Sequence, residues 1–386
     1  MKTVYLDNNA TTMVAPEVLE AMQPFWSEQY GNPSSIHSFG GRVKKGVDTA
    51  REQVAALLGA STDEVVFTGG GSESDNMAIL GALEAIGTLK RHIITTRVEH
   101  PAVQGVCYYL RNKGYKVTEL GVDSDGALDL HELEEAITED TALVSIMWAN
   151  NETGVVFPIE KIAGIVKDRK VLLHSDAVQA AGKIPIDMRK VPVDLLAISG
   201  HKLHAPKGVG VLYVRKGTSI MPLIRGGHQE GGKRAGTENV PGIIGMGKAC
   251  ELAVKYVDEE NQRVSRLRDK LEAGILATCK DTRVNGANRL PNTLNISFEF
   301  IEGESILLML DDLGICASSG SACTSGSLEP SHVMRAMGIP FTAVHGSIRF
   351  SLSRYTTEEE IDYVLENLPP IIERLRKISP FVEKIS

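Results

Sequence analysis

From about residue 60 to residue 215, short apolar β-rich runs alternate with longer stretches of helical periodicity. That pattern predicts a mostly parallel sheet covered by helices on both faces. The strand-like runs are Glu64-Val-Val-Phe67, His92-Ile-Ile-Thr-Thr96, Ala142-Leu-Val-Ser-Ile-Met147, Val171-Leu-Leu-His174, Leu195-Leu-Ala-Ile198 and Gly208-Val-Gly-Val-Leu-Tyr-Val214. A polar helical pattern follows from about Cys250 to Cys279. It leads to Thr293-Leu-Asn-Ile-Ser-Phe-Glu-Phe300, whose apolar residues alternate as in a half-buried antiparallel strand and open a smaller α+β lobe. Thr357 and Glu360 stand at capping-box spacing and start a last helix, expected to be interrupted at Pro369-Pro370. No internal repeat is visible.

With 386 residues the chain exceeds the size at which one hydrophobic core stops growing, which favours two lobes. A net charge of -8, with both signs scattered, provides neither a basic stripe for nucleic acid nor a polybasic membrane anchor. Met1-Lys2 leads straight into the strand-like Thr3-Val-Tyr-Leu6, and no apolar run approaches a membrane-spanning length, so a cytoplasmic protein is expected. The five cysteines are widely spread, without a C-x-x-C pair, which argues against a disulfide framework and against structural zinc. Cys107, Cys250 and Cys279 sit in helical patterns and Cys316 in an apolar one, as packing residues do.

In an open α/β sheet, ligands bind beyond the carboxyl ends of the strands. After the first strand comes Thr68-Gly-Gly-Gly71-Ser72-Glu73, a glycine turn opening a helix, where backbone N–H groups and the helix dipole suit a phosphate. The turn matches neither the dinucleotide nor the Walker pattern, and alone it reads equally as a tight connection. The following strand ends deliver His100, Asn151, Asp176 with Gln179, and Lys202 behind Ser199 and His201. A flat, phosphorylated aromatic that forms a Schiff base would use all of them, and pyridoxal 5'-phosphate is such a cofactor. Lys202 would supply the Schiff-base amine, Asp176 would keep the pyridine nitrogen protonated, and His100 would stack on the ring. Asn151 and Gln179 suit the ring oxygen; Gly71, Ser72, Ser199 and His201 suit the phosphate. Each residue alone has an ordinary structural reading, but their succession at strand ends does not. Metal binding by His201 and His204 is the weaker reading, because no carboxylate or thiolate stands at a zinc-site spacing. No permanent metal is expected.

Residues Ser318 to Ser327 hold one thiol, Cys323, in a Gly/Ser tract with no bulky side chain to fix it. Such a tract predicts a flexible backbone and a sulfur able to travel, which marks Cys323 as a nucleophile. An unperturbed thiol is only a few per cent ionised at neutral pH, so local activation is expected.

The chain resembles the NifS/IscS-type cysteine desulfurases, within the fold-type I pyridoxal phosphate enzymes, nearly from end to end. The likeness is carried by Tyr5-Leu-Asp-Asn-Asn-Ala-Thr-Thr12, Tyr30-Gly-Asn-Pro-Ser-Ser35, Thr68-Gly-Gly-Gly-Ser-Glu-Ser74, Val98-Glu-His100, Asn150-Asn-Glu-Thr-Gly154, Ser199-Gly-His-Lys202, Arg234-Ala-Gly-Thr237, Ser319-Gly-Ser-Ala-Cys323 and Ile348-Arg-Phe-Ser-Leu352. The resemblance implies that Lys202 carries the cofactor and that His100 stacks on it. It further implies that Thr237 reaches the phosphate of a neighbouring subunit in a homodimer, and that Arg349, helped by Asn32, pairs with the substrate carboxylate. Expected domains are 13–255, binding the cofactor, and 1–12 with 256–386, a small domain carrying the mobile Cys loop 318–327. The tract around Cys323 is similar to the long loop of the NifS/IscS branch, which hands sulfur to protein acceptors such as an iron-sulfur scaffold. Gly70-Gly71-Ser72 stands where many relatives have Gly-Ala-Thr, keeping a small residue and a hydroxyl. The end at Ser386, sixteen residues after Pro370, favours the NifS side over IscS-type relatives with an extended tail.

The reaction implied converts L-cysteine to L-alanine, with Lys202 taking the α-proton, His100 transferring a proton near the sulfur and a persulfide forming on Cys323. A transient iron-sulfur ligand role for Cys323 is the only metal role left open. Selenocysteine lysis or an aminotransferase-like reaction would need the same cofactor site without a thiol on a flexible loop. A docking role without catalysis would leave Lys202, Asp176, His100 and Arg349 unexplained.

Overall fold

The computed structural model describes residues 3–319 and 330–380. Cys323 and most of its tract lie outside the described residues. The chain opens on β1 (Val4–Tyr5) and then builds one seven-stranded sheet. Its strands are β2 (Val65–Thr68), β3 (His92–Thr96), β4 (Lys116–Leu120), β5 (Thr141–Ser145), β6 (Leu172–Asp176), β7 (Leu195–Ser199) and β8 (Gly210–Val214). The spatial order is β2-β8-β7-β6-β5-β3-β4. Every pairing from β4 through to β7 is parallel, and β8 runs antiparallel to both β7 and β2. Thus β2 points the same way as β7, and all the strands except β8 end at one edge.

The six sequence-predicted strands are present with ends displaced by a residue or two, and β6 reaches Asp176, which is thereby its last residue. The pattern missed β4. An edge strand is half-solvated, and Lys-Val-Thr-Glu-Leu lacks the apolar run that marks the central strands. The other edge, β2, is closed by side chains. Arg51 Nη1 donates to the Val65 carbonyl at 2.7 Å, Phe67 N–H donates to Glu230 Oε2 at 2.8 Å, and Arg51 and Glu230 pair at 2.7 Å.

A 39-residue helix, Val240–Thr278, begins ten residues before the expected start. Asn239 caps it and Pro241 sits in its first turn. Glycines that read as helix breakers are needed there for close packing. A Cβ on Gly247 would lie 2.5 Å from Ala50 Cα of the Ser38–Leu58 helix.

The remaining strands are β9 (Thr282–Val284), β10 (Thr293–Phe298), β11 (Ile315–Cys316) and β12 (Ser347–Ser351). β10 lies antiparallel between β9 and β12, and β1 pairs in parallel with β11. The expectation of a half-buried β10 is corrected: all six of its residues are buried. Its polar side faces a buried amide network in place of water. Asn285 Nδ2 donates to Asn295 Oδ1 and Ser297 Oγ at 2.8 Å each, and Asn9 Nδ2 donates to Thr293 Oγ1 at 2.9 Å.

The expected interruption at Pro369-Pro370 is likewise corrected, because the helix runs unbroken from Glu358 to Ile378. Two prolines inside a helix cost about 3 kcal/mol or more each. Leu368, Ile371 and Ile372 on either side are buried in one cluster, and that packing offsets the missing donors.

Buried apolar residues among those described gather into one large cluster between the sheet and its helices, a second around β10, β12 and the last helix, and two smaller ones where the Gly71–Ile86 helix meets the sheet. Val4 and Leu6 belong to the second cluster. Val333, Met334 and Val344, which follow the cysteine tract, belong to the first.

Candidate active site

The shared strand edge forms a cavity of about 320 Å³ lined by Gly71, Ser72, His100, Asn151, Asp176, Gln179, Ser199, His201, Lys202 and Arg349. Asn9, Ala10, Asp75, Met147, Ala149 and Val178 complete the wall. A second hollow opens from it past Gly69, Gly70, Ser72 and Lys207. Asn32 and Thr237 do not line the cavity; both are exposed, and Asn32 Oδ1 accepts from Ser34 N–H at 2.8 Å.

Each side chain arrives for a local reason. His100 is the N-cap of the Pro101–Asn112 helix, and its Nδ1 accepts the Ala102 N–H at 3.1 Å. The proton of the neutral imidazole is therefore on Nε2. Lys202 follows β7 in a single 3₁₀ turn and donates from Nζ to the carbonyls of Asn9 at 2.6 Å and Ala10 at 2.7 Å. Asp176 Oδ1 accepts the Val178 N–H at 2.8 Å. Gln179 donates to Asn9 O at 3.0 Å and accepts from Lys183 Nζ at 3.1 Å. Arg349 enters from β12, with Nη2 on Asp7 Oδ1 at 2.7 Å and Nη1 on Asn151 O at 2.9 Å. The Arg349 backbone also bridges Ser318, the near root of the cysteine tract.

Burial dominates the electrostatics. It lowers His100 to about 4, with Lys202 and His332 adding to the effect, so His100 is a neutral Nε2–H donor across physiological pH. Asp176 is raised to about 8, first by burial and then by Asp75. An acid poised in this way shares a proton readily with a ring nitrogen. Lys183 is lowered to about 7 by burial and by the nearby Lys202 and Arg349 charges. Glu99 is raised to about 8 by burial, although Met147 N–H and the Thr96 hydroxyl donate to it.

These residues fit pyridoxal 5'-phosphate. Asn151 Oδ1 is buried with no hydrogen-bond partner among the described residues. Gly71 opens the Gly71–Ile86 helix against the cavity wall, where a Cβ would lie 2.8 Å from Val178 Cγ2. A helix N-terminus free of side-chain bulk is suited to a phosphate. Among the described residues, no group of three or more His, Cys, Asp or Glu could hold a metal ion. No helix among them is long and apolar enough to cross a membrane.

Asn9, Ala10, Asp7, Asp75 and Lys183 went unnoticed as part of the site. The Asp7-to-Ala10 segment lies close in space because β1 joins β11 and the residues after it bond to Ser351 of β12, and the Asp75 carboxyl sits one turn inside a helix whose start had drawn attention to Ser72. The run Asn-Asn-Ala-Thr-Thr after a short strand was the available signal.

The aminotransferase class-V family model matches residues 4–364. A cysteine desulfurase of a Nostoc species is 62% identical over 383 residues, covering 99% of this chain and 96% of that one. The cysteine desulfurase NifS of Azotobacter vinelandii is 59% identical over 384 residues, covering 99% and 95%. Among solved structures, a NifS-like protein superposes with a TM-score of 0.92 at 44% identity, over 97% of this chain and all of its own. The chain thus belongs to the aminotransferase class-V family and, within it, to the cysteine desulfurases.

Proposed function

We propose that this chain removes sulfur from L-cysteine, releases L-alanine and holds the sulfur as a persulfide on Cys323 for transfer to a protein acceptor such as an iron-sulfur scaffold. The convergence of Lys202, Asp176, His100 and Arg349 on one cavity supports this reading most directly. When bound, pyridoxal 5'-phosphate supplies an electrophilic carbon for the substrate amine and an electron sink for charge developing at the α-carbon.

The protein's residues do the rest. Arg349, buried and already oriented by Asp7, binds the substrate carboxylate with its guanidinium. Lys202 Nζ, once freed from the carbonyls of Asn9 and Ala10, takes the α-proton. Asp176 would hold a proton at the ring nitrogen, and Asn151, whose buried side-chain amide lines the cavity, would turn its NH2 toward the ring oxygen as a donor. Ser72, Ser199, His201 and the backbone N–H of Gly71 receive the phosphate, with Thr237 contributing from a second copy of the chain. Gln179 adds its second amide hydrogen. His100 presents its Nε2–H on the ring side and donates a proton near the substrate sulfur. Asn32 assists at the carboxylate.

The Cys323 thiolate attacks the substrate sulfur, the carbon–sulfur bond breaks with its electron pair left on the β-carbon, which takes up a proton, and return of the α-proton from Lys202 Nζ completes alanine. The domain division at 12/13 and 255/256 and the cytoplasmic, homodimeric state belong to this proposal. Val4 and Leu6 in the second buried cluster support joining 1–12 to the small domain, whereas Leu290 and the segment Val333 to Val344 pack in the first cluster and run against placing all of 256–386 there.

The test is release of sulfide and alanine from L-cysteine with a thiol reductant, comparing the protein with Cys323→Ala at equal cofactor content. Both products from the parent and neither from the variant is the expected result. Equal rates would make Cys323 dispensable and a direct lyase the better reading; no turnover by either would overturn the substrate.

A further inference from the structure

Two buried side chains beneath the cavity have no part in the steps above. Asp75, in the second turn of the Gly71–Ile86 helix, is 1% exposed and lines the cavity. His174 on β6 is fully buried. Asp75 Oδ1 and His174 Nε2 have no hydrogen-bond partner among the described residues, and they lie 3.4 Å from each other. The other ring nitrogen, Nδ1, is 2.8 Å from Ser145 Oγ on β5. His174 and Asp176 alternate along β6, so they project from the same face. Two other titratable groups face the pair, Asp176 and Glu99 from the segment after β3, and Lys202 from the turn after β7 faces Asp176.

Three proton arrangements are open to the pair. A carboxylate beside a neutral imidazole would put a second buried negative charge next to Asp176. A carboxylate with an imidazolium would bury two full charges at a pair where only His174 Nδ1, through Ser145, has a further hydrogen bond to support its charge. A neutral acid donating to a neutral imidazole buries no charge and satisfies both unpartnered atoms. Burial drives the two groups the same way, raising Asp75 to about 8 and lowering His174 to about 4.

We propose that Asp75 is a protonated positioning residue that donates to His174 Nε2, with His174 Nδ1–H donating to Ser145, so that Asp176 is left as the one carboxylate of the cavity that ionises against the cofactor's ring nitrogen. The role of Asp176 in this statement rests on the proposed cofactor reading; the Asp75–His174 arrangement does not. Through that arrangement Asp75 sets how much negative charge the ring meets, without touching the reacting atoms.

The experiment is nitrogen-15 NMR of histidine-labelled protein between pH 6 and 8, with and without added pyridoxal 5'-phosphate. His174 is assigned by the resonance missing in His174→Gln or, should that variant not fold, by the one displaced in Asp75→Asn. The expected result is a neutral His174 with its proton on Nδ1 at every pH, in both forms of the protein. A proton on Nε2 instead would show an ionised Asp75, and a doubly protonated ring would show a buried ion pair; either overturns the proposal. Should pyridoxal 5'-phosphate fail to bind while the Nδ1–H tautomer stands, the cofactor reading fails and the Asp75–His174 assignment survives.

Discussion

Ser331→Ala removes one hydroxyl with two duties. Ser331 Oγ donates to the buried carboxyl of Glu152, and it accepts the Val333 and Met334 N–H groups at 3.1 and 3.3 Å, capping the His332–Ala336 helix. A lost serine cap costs about 1 kcal/mol. A buried acceptor left without its donor costs about 1–3 kcal/mol. Together they give about 2–4 kcal/mol, which for a protein of this size lowers the unfolding midpoint by about 2–5 °C.

The pH dependence separates the two contributions. Burial raises Glu152 to about 7, while the Ser331 hydroxyl and then Arg349 pull the other way. A carboxyl raised in the fold contributes stability that is present at low pH and is lost as pH rises toward its folded value. Removing the Ser331 donor raises Glu152 further, so the variant loses more stability than the parent between pH 6 and pH 8. Each further unit is worth about 1.4 kcal/mol. The assay is thermal unfolding of parent and variant at both pH values with cofactor content matched. A midpoint drop of the same size at pH 6 and pH 8 would refute the Glu152 contact and leave only the cap.

Arg349→Lys keeps the charge but loses the fork that spans Asp7 and Asn151; losing one charge-assisted bond of about 1.5–3 kcal/mol should raise the KM for L-cysteine about 10- to 150-fold with cofactor retained. An unchanged KM in steady-state kinetics would remove Arg349 from the carboxylate site. His100→Phe keeps a flat ring but no Nε2–H, and turnover should fall about 10²- to 10⁴-fold while the visible absorbance of bound cofactor persists; cofactor loss would make the residue a binding element first. Leu368→Ala empties a fully buried position beside Pro369 and should cost about 2–5 kcal/mol in urea unfolding. A cost below about 1 kcal/mol would mean that the last helix is not held through its prolines by this packing.

The central sheet was legible because β5 and β7 are buried on both faces and carry mostly apolar residues, and such a strand needs no partner to be recognised. The cofactor-side residues followed from the same strands, since His100, Asn151, Asp176 and Lys202 come directly after them or at their ends. Contacts between distant segments were not legible. Nothing local to Asn9 says that its carbonyl meets Lys202, 193 positions later in the chain. The buried polar face of β10 and the uninterrupted last helix escaped for the same reason: a neighbouring layer replaces water in one and compensates missing donors in the other.

The Arg51–Glu230 pair at β2 occupies the outward Val65 carbonyl and Phe67 N–H as the next strand of a sheet would. At the opposite edge, Lys116 and Glu119 of β4 put exposed charges on the rim. An open sheet with bare edges is a template for recruiting strands from other molecules, and side-chain plugs and edge charges are how such recruitment is blocked. Folded copies of this chain can therefore crowd together without zipping sheet to sheet, and association is left to side-chain surfaces, which can be selective.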